Sequence, residues 1–497
     1  MMVIAAGLET PEIAWSDLVP LLALLGGTVV LLLLGSLMKR WSRWATAVLT
    51  IASASVALGA NIVQWNDLSS SGGSTLVNDA IVVDRFSVFG SIVVAMAVIL
   101  ATLLMRANTE DANGDPLERH ALLLTSAIGA MVMVAANELI VLFLGLEILS
   151  LSLYLMAASD RRREQSQESG LKYFLLGGFA SAFLLYGIAM VYGATGSTRI
   201  SGIAEVLGSE AVRGNNDAIL LIGVGLLLVG FGFKVSAAPF QSWTPDVYQG
   251  APTSVTSYMA SAGKVAAFAA FLRVFLVALE TRVDDWRPVI AVVAVTTVFI
   301  GSTMAVVQTN VKRMLAYSSI SHAGFVLVGM EAASHRGTDG LASSMAYLAI
   351  YTVLVMGSFA VVQVIAGSSD EDTSLTAFQG LAKRRPSVAL AFSVILFAQA
   401  GVPFTSGFVA KFGVIKSSVE AGSYVVAVAA MVGAVIGAFL YLRITVSMWL
   451  TDSDDRTSVQ VPVATGTVLT LSVAATLAVG FFPGLLVDAA RLVQFLG

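Results

Sequence analysis

Cysteine does not occur in the 497-residue chain, which removes disulfides and cysteine-ligated iron–sulfur clusters from consideration. Histidine is scarce: His120, His322 and His335 are too few and too scattered for a haem or zinc site. No G-x-x-x-x-G-K-[ST] occurs, and no G-x-G-x-x-G between a strand and a helix, so no nucleotide site is expected. Any energy must then come from an ion gradient or from another polypeptide. Charge is thin as well, 12% of residues against about 25% in ordinary soluble domains.

Apolar residues fill that space. The chain is 57% hydrophobic with mean hydropathy +0.84, and long apolar runs recur from end to end. This is the pattern of an all-α polytopic membrane protein. Fourteen spans are expected, at about 17–38, 42–64, 84–106, 118–136, 138–158, 168–194, 217–247, 253–280, 286–308, 312–332, 339–366, 386–418, 421–450 and 461–489. The longest gaps, 65–83, 195–216 and 367–385, read as loops or a short strand and surface helix. The opening "MMVIAAGLETPEIAWSDLVP" is acidic and lacks a basic n-region, so no cleaved signal peptide is expected.

Basic residues in the loops set an orientation. One side carries Lys39, Arg40, Arg43, Arg106, Arg119, Arg161, Arg162, Arg163, Lys312, Arg313, Lys383, Arg384, Arg385 and Arg456. The other has the smaller set Arg85, Arg199, Arg213, Arg282, Arg287, Arg336, Lys416 and Arg491. The bias places both termini outside.

The seventh and twelfth spans are too long for one straight crossing, and each holds a proline in its middle. "SAAPFQSW" interrupts the first and "QAGVPFTSGF" the second, with small residues and Pro-Phe at both breaks. The two would run in opposite directions, which suggests inverted repeats of spans 4–8 and 9–13, a transporter signature with its site near the unwound segments. The expected division is 1–117 for the first three spans, 118–280 and 281–450 for the repeats, and 451–497 for the last span.

Six basic residues remain within spans: Lys172, Lys234, Lys264, Lys411, Arg273 and Arg443. Glu147 lies at the centre of "NELIVLFLGLEILSLSLYLM", and His322 mid-span in "MLAYSSISHAGFVLVGM". A charge at mid-bilayer costs roughly 2.5 to 3.5 kcal/mol on insertion scales, so each needs a reason. Lys172, near a helix start, could snorkel. Arg273 and Arg443, nearer helix ends, fit ion pairs or snorkelling, and His322 could be a satisfied core histidine. Glu147, Lys234, Lys264 and Lys411 are too deep for those accounts. A buried lysine sheds its proton more readily than a solvated one, and a nearby carboxylate reverses the effect, so a lysine with a movable carboxylate partner is a proton switch. The prolines next to Lys234 would free backbone groups and recruit water beside it.

At these residues the sequence resembles the antiporter-like membrane subunits of respiratory complex I, the proton-pumping NADH:quinone oxidoreductase. "LKYFLLGGFASAFLLYGIAMVYG", "APFQSWTPDVYQGAPTSVTSYMASAGKVAAF" and "GVPFTSGFVAKF" carry the resemblance, which covers almost the whole chain. They resemble the subunit N branch: subunit L would add a long lateral helix, and subunit M typically has a glutamate where Lys411 stands. The resemblance implies fourteen helices with discontinuous helices 7 and 12, in a bacterial cell membrane. It implies a proton path through Glu147, Lys172 as its cationic neighbour, Lys234, Lys264, Lys411 on the exit side, and His322 in the polar axis between halves. No cofactor is expected on this chain; FMN, iron–sulfur clusters and quinone would belong to the complex, with subunit M and the small K/J-type subunits as neighbours. One departure is Gln241, which stands where family members often have a histidine after the Pro-Phe, and glutamine cannot titrate. Three rivals remain at this point: a subunit of a multi-subunit sodium/proton antiporter, a non-pumping membrane scaffold, and a lone transporter for an organic solute.

Overall fold

In lipid every backbone N–H and C=O must be met within the protein, so long apolar runs fold as helices. The structure, a computed structural model, describes residues 14–37, 42–107, 116–209, 215–335, 337, 339–367, 370, 372–452 and 459–496. Lys39, Arg40, Arg213, Arg336, Arg456 and most of the acidic N-terminal stretch lie outside them.

The first half runs α1 Val19–Leu37, α2 Arg43–Ser71, strands β1 Ser74–Leu76 and β2 Ile81–Val83, α3 Arg85–Ala107, α4 Pro116–Ala135, α5 Leu139–Ala157 and α6 Glu164–Thr195. It continues through the surface helix α7 Ile200–Gly208, then α8 Asn215–Val235, α9 Trp243–Gly250, α10 Thr253–Tyr258 and α11 Lys264–Arg273. The second half has α12 Val283–Val306, α13 Val311–Ala333, α14 Gly340–Ala366, the short α15 Leu381–Arg384, α16 Pro386–Ala400, α17 Ser406–Glu420, α18 Tyr424–Leu450, α19 Val463–Phe481 and α20 Gly484–Arg491.

Among the described residues, 12 helices are long and apolar enough to cross a membrane. The other two expected spans fall on α13, which is long but charged near both ends by Lys312, Arg313 and Glu331, and on the pair α16/α17, each too short alone. The last span is shorter than expected: α19 stops at Phe481, Pro483 follows, and α20 is a separate helix. The gap after α2 holds a two-stranded antiparallel hairpin, turned through Val77, Asn78 and Asp79 with φ of 52°, 56° and 65°.

Both expected breaks are present. At the first, α8 ends at Val235, Ser236 takes φ 64°, the Ala238–Pro239 bond is cis, and α9 starts at Trp243. The freed groups are met by protein: Ala238 N–H donates to Thr297 Oγ1 on α12 at 2.9 Å, and Trp243 Nε1 donates to Phe233 O at 3.0 Å. At the second, Gly401 takes φ 90° between α16 and α17. A Cβ on Gly407 would lie 1.7 Å from Ala398 O, so the two halves of that span touch backbone to backbone.

The eighth span is not one regular helix. It contains π-helical turns at Met259–Gly263 and Val274–Ala278, one immediately before Lys264 and the other immediately after Arg273. Periodicity in the sequence gives no sign of them. Such turns occur often at functional sites.

Candidate functional site

The site starts on α5. Glu147 is half-buried, and its Oε1 is enclosed with no hydrogen-bond partner among the described residues. Ser150 and Tyr154 follow at i+3 and i+7, on the same helix face. Lys234 Nζ donates to Ser150 Oγ at 2.7 Å and to Tyr154 Oη at 3.2 Å. Its ammonium also lies 5.4 Å from the Tyr154 ring centroid and 6.0 Å from that of Tyr173, where cation–π attraction offsets part of its desolvation. Gly177 on α6 makes room for this arrangement: a Cβ there would sit 2.0 Å from Tyr154 Oη.

Lys234 occupies the last turn of α8, and Lys411 Nζ donates to Ala400 O, the last residue of α16, at 3.0 Å. The Lys411 ammonium therefore rests at the carbonyl end of a broken helix, where unmet C=O groups favour a cation, whereas the Lys234 ammonium reaches across to hydroxyls of α5. At the first break Thr297 meets the Ala238 N–H and Trp243 meets the Phe233 carbonyl.

Aromatic residues and hydroxyls join the lysines. Tyr173 stacks on Trp243 with centroids 4.5 Å apart, and Trp243 meets Tyr248 edge-on at 6.1 Å. Tyr248 and Tyr351 flank the Ser319 side chain, and the Ser319 carbonyl accepts from Lys264 Nζ at 2.6 Å. One turn on, His322 shares its Nδ1 with Tyr347 Oη at 2.7 Å and its Nε2 with Tyr441 Oη at 3.1 Å; Tyr441 Oη in turn meets Ser318 Oγ at 2.6 Å. Tyr347 stacks near Phe325 at 6.1 Å, and Lys411 Nζ lies 5.0 Å from the Phe325 centroid. Both Lys264 and Lys411 are within electrostatic reach of His322. The file thus reads Glu147, Lys234, Lys264, His322, Lys411. Among the described residues no carboxylate lies within ion-pair distance of its three lysines.

Lys172 departs from expectation. It is half-exposed, and its Nζ pairs with Glu168 at 2.6 Å and Asp246 at 3.2 Å, not with Glu147. Asp246 also holds Arg313 at 2.6 Å, which ties α6, α9 and α13 together. Gln241 Oε1 is enclosed without a partner among the described residues.

Two residues read from the sequence as loop cations are interior. Lys312 is fully buried; its Nζ donates to Ala251 O at 2.7 Å and pairs with Asp370 at 3.2 Å, and Arg163 pairs with the same carboxylate at 2.9 Å. Thr253 closes the node, its N–H donating to Asp370 Oδ2 at 3.0 Å and its hydroxyl to Oδ1 at 2.5 Å. Burial alone would raise the Asp370 carboxyl, but Lys312, Thr253 and Arg163 outweigh it and hold it below its ordinary range. Arg273 likewise forms a bidentate pair with Asp84, at 2.8 and 2.9 Å, both side chains 3% exposed. Arg443 Nη1 caps α12 through Val306 O at 2.7 Å and Gln308 O at 2.8 Å. Arg273 fits the ion-pair reading made from its position, whereas Arg443 meets backbone carbonyls in place of an acid.

The tyrosines were missed, although a signal existed. Tyr347 and Tyr351 stand four apart on one helix face, and Ser150 and Tyr154 share a face with Glu147. Asp370 gave none, because its partners come from three other loops and helix starts. Among the described residues no three His, Asp or Glu side chains gather as metal ligands.

A broken-helix membrane protein with a buried lysine file is an antiporter-like polytopic protein. The family model described as "NADH:quinone oxidoreductase/Mrp antiporter, TM" matches residues 136–437. The chain is 39% identical to NADH-quinone oxidoreductase subunit N of Saccharopolyspora erythraea, over 98% of this chain and 99% of that one. Among solved structures it resembles a chain of respiratory complex I from Thermus thermophilus, at TM-score 0.80 and 31% identity, covering 96% of this chain and 100% of that chain. It also resembles a chain of the Mrp complex from a Dietzia species, at TM-score 0.84 and 20% identity over 97% of each, a likeness of fold alone. The chain belongs to the NADH:quinone oxidoreductase/Mrp antiporter transmembrane family, in its subunit N branch.

Proposed function

We propose that the chain is a proton-translocating membrane-arm subunit of NADH:quinone oxidoreductase, driven by quinone reduction elsewhere in the complex. Proton transfer would run from Lys234 by Lys264 and His322 to Lys411. Glu147 sets the charge state of Lys234. The observation that carries this reading is the attachment of the Lys234 ammonium to Ser150, one turn along α5 from a carboxylate with an unmet oxygen. Two unit charges closing to about 4 Å interact by about 4 kcal/mol at an effective dielectric near 20, enough to couple the two groups. Tyrosine and serine hydroxyls supply the donors and acceptors between lysines.

Glu147 borders an apolar strip of α5, Leu144, Ile148, Leu151 and Leu155, all exposed. In a hetero-oligomer a neighbouring membrane subunit seated on that strip would lie beside the carboxylate, and charge shifts would pass between subunits there. Lys172 acts with Asp246 on the cytoplasmic side. The inverted repeats, spans 4–8 and 9–13, gain support from glycine packing at the start of each. A Cβ on Gly129 of α4 would lie 2.4 Å from Leu149 N of α5, and one on Gly301 of α12 would lie 2.4 Å from Ser321 N of α13. The setting is a bacterial cell membrane with both termini outside. FMN, iron–sulfur clusters and quinone sit on partner chains, and subunit M and the small K/J-type subunits are the neighbours.

The test is co-purification followed by pumping. A tagged chain extracted in mild detergent should bring stoichiometric FMN, iron and NADH-oxidising activity. In proteoliposomes, Lys234→Ala should lower protons moved per electron in the assembled complex. Small hydrophobic partners alone, with sodium/proton exchange in vesicles, would favour a separate antiporter.

A further inference from the structure

Near the outer ends of α13 and α17 stands a buried acid outside the lysine file. Glu331, in the last turn of α13, is 3% exposed. Its Oε1 accepts from Ser423 Oγ at 2.7 Å and lies 3.3 Å from His335 Nε2, and its Oε2 is enclosed with no partner among the described residues. A buried carboxylate oxygen left unmet is costly, so its presence here calls for a reason.

The position of Glu331 relates it to Lys411. On α17, Ser418 lies seven residues beyond Lys411, two turns along the same face and about 10 Å away. Ser418 Oγ donates to Ser423 O at 3.3 Å, and the Ser423 hydroxyl donates to Glu331. Ser417 beside it meets Ser343 of α14 at 3.0 Å. On α13, Glu331 lies six residues beyond Phe325, whose ring contacts Lys411. The hydroxyls of Ser417, Ser418 and Ser423 therefore gather at the Glu331 end of the seam between α13 and α17, and buried Val414 lies between Ser418 and Lys411. A carboxylate that merely anchored the α17–α18 turn through Ser423 would need neither an unmet Oε2 nor a partly exposed histidine on its other flank.

We propose that Glu331 takes the proton that Lys411 releases and passes it by His335 to the outer surface. The inference rests on the proton-translocating reading above. In the transfer, the Lys411 ammonium loses one N–H proton and becomes a neutral amine, and Glu331 Oε2 gains that proton. Glu331 then yields a proton to His335 or bulk water and returns to carboxylate. Lys411 is recharged from the Lys264 side.

The experiment compares protons moved per electron in proteoliposomes of the assembled complex carrying Glu331→Gln, Glu331→Asp, His335→Gln, Lys411→Ala, or Glu331→Gln with Lys411→Ala. Glu331→Gln should fall to the level of Lys411→Ala, the double variant should fall no further, and Glu331→Asp should keep most of the ratio. A purely structural role would instead give losses that add. If Glu331→Gln fails to assemble, the partly exposed His335→Gln serves in its place and should lower the ratio. An unchanged ratio in the assembled Glu331 or His335 variants, with Lys411→Ala lowered, overturns this inference and leaves the translocation reading standing. An unchanged ratio in Lys411→Ala as well overturns both.

Discussion

Lys234 Nζ rests 2.7 Å from Ser150 Oγ, and Ser150 is one turn along α5 from Glu147. The relationship puts an ammonium and a carboxylate on one helix face without pairing them. A small shift of α5 or of the α8 end would change the distance between the charges, and that is the coupling a charge-driven switch requires.

The first prediction concerns this contact. Ser150→Ala removes a donor–acceptor for Lys234 but keeps the Tyr154 bond, so pumping should fall partly, and less than in Lys234→Ala. Proton uptake per electron in proteoliposomes reads the order. Equal losses, or a larger one for Ser150→Ala, would count against Lys234 as the central group.

Gly177→Ala tests the same pocket from α6. The new Cβ would press on Tyr154 Oη from 2.0 Å, so the ring must swing away from Lys234. Pumping should drop while the complex still assembles. Strain of this kind costs about 1 to 3 kcal/mol, visible as a lower Tm. Full pumping would show that Tyr154 does not position the lysine.

The Asp370 node should behave as a structural clamp. Asp370→Asn leaves Lys312 and Arg163 buried beside a neutral group, at a cost of about 3 to 5 kcal/mol. Little assembled complex should be recovered, and Lys312→Met in the same chain should restore part of it. Thermal unfolding of the purified complex measures both. Normal stability in Asp370→Asn would show that the cluster is not holding those ends together.

Arg273→Lys should weaken the fold although charge is kept. Lysine cannot make the bidentate contact that Arg273 makes with both Asp84 oxygens. A Tm decrease smaller than that of Arg273→Ala is the expected order.

Asp84 and Asp370 also set an acid limit. Burial would raise the Asp84 carboxyl, but Arg273 and the Ser87 and Leu496 N–H groups lower it further, so its net shift is downward, as for Asp370. A carboxyl lowered on folding adds stability above its unfolded value, near 3.9, and loses it as pH falls through the folded one. The Tm contribution of either residue should therefore be flat from about pH 5 to 8 and disappear only in stronger acid. In Asp84→Asn that acid-side loss should be smaller.

The sequence by itself determined the membrane class, the helices and both breaks. Apolar length and proline act locally: about twenty apolar residues must span, and Pro239 and Pro403 cannot continue a helix. It also singled out Glu147, Lys234, Lys264, His322 and Lys411, because a charge in lipid stands out against its neighbours. Only the tertiary structure decided which groups meet. Lys172 turned to Glu168 and Asp246, and Lys312 went inward to an aspartate 58 residues away. The π turns flanking Lys264 and Arg273 appear only in the folded chain. The tyrosines joined the lysines into one file because α5, α9, α13, α14 and α18 converge there. Span and break are properties of a few consecutive residues, whereas partnership depends on helices that the chain brings together only when folded.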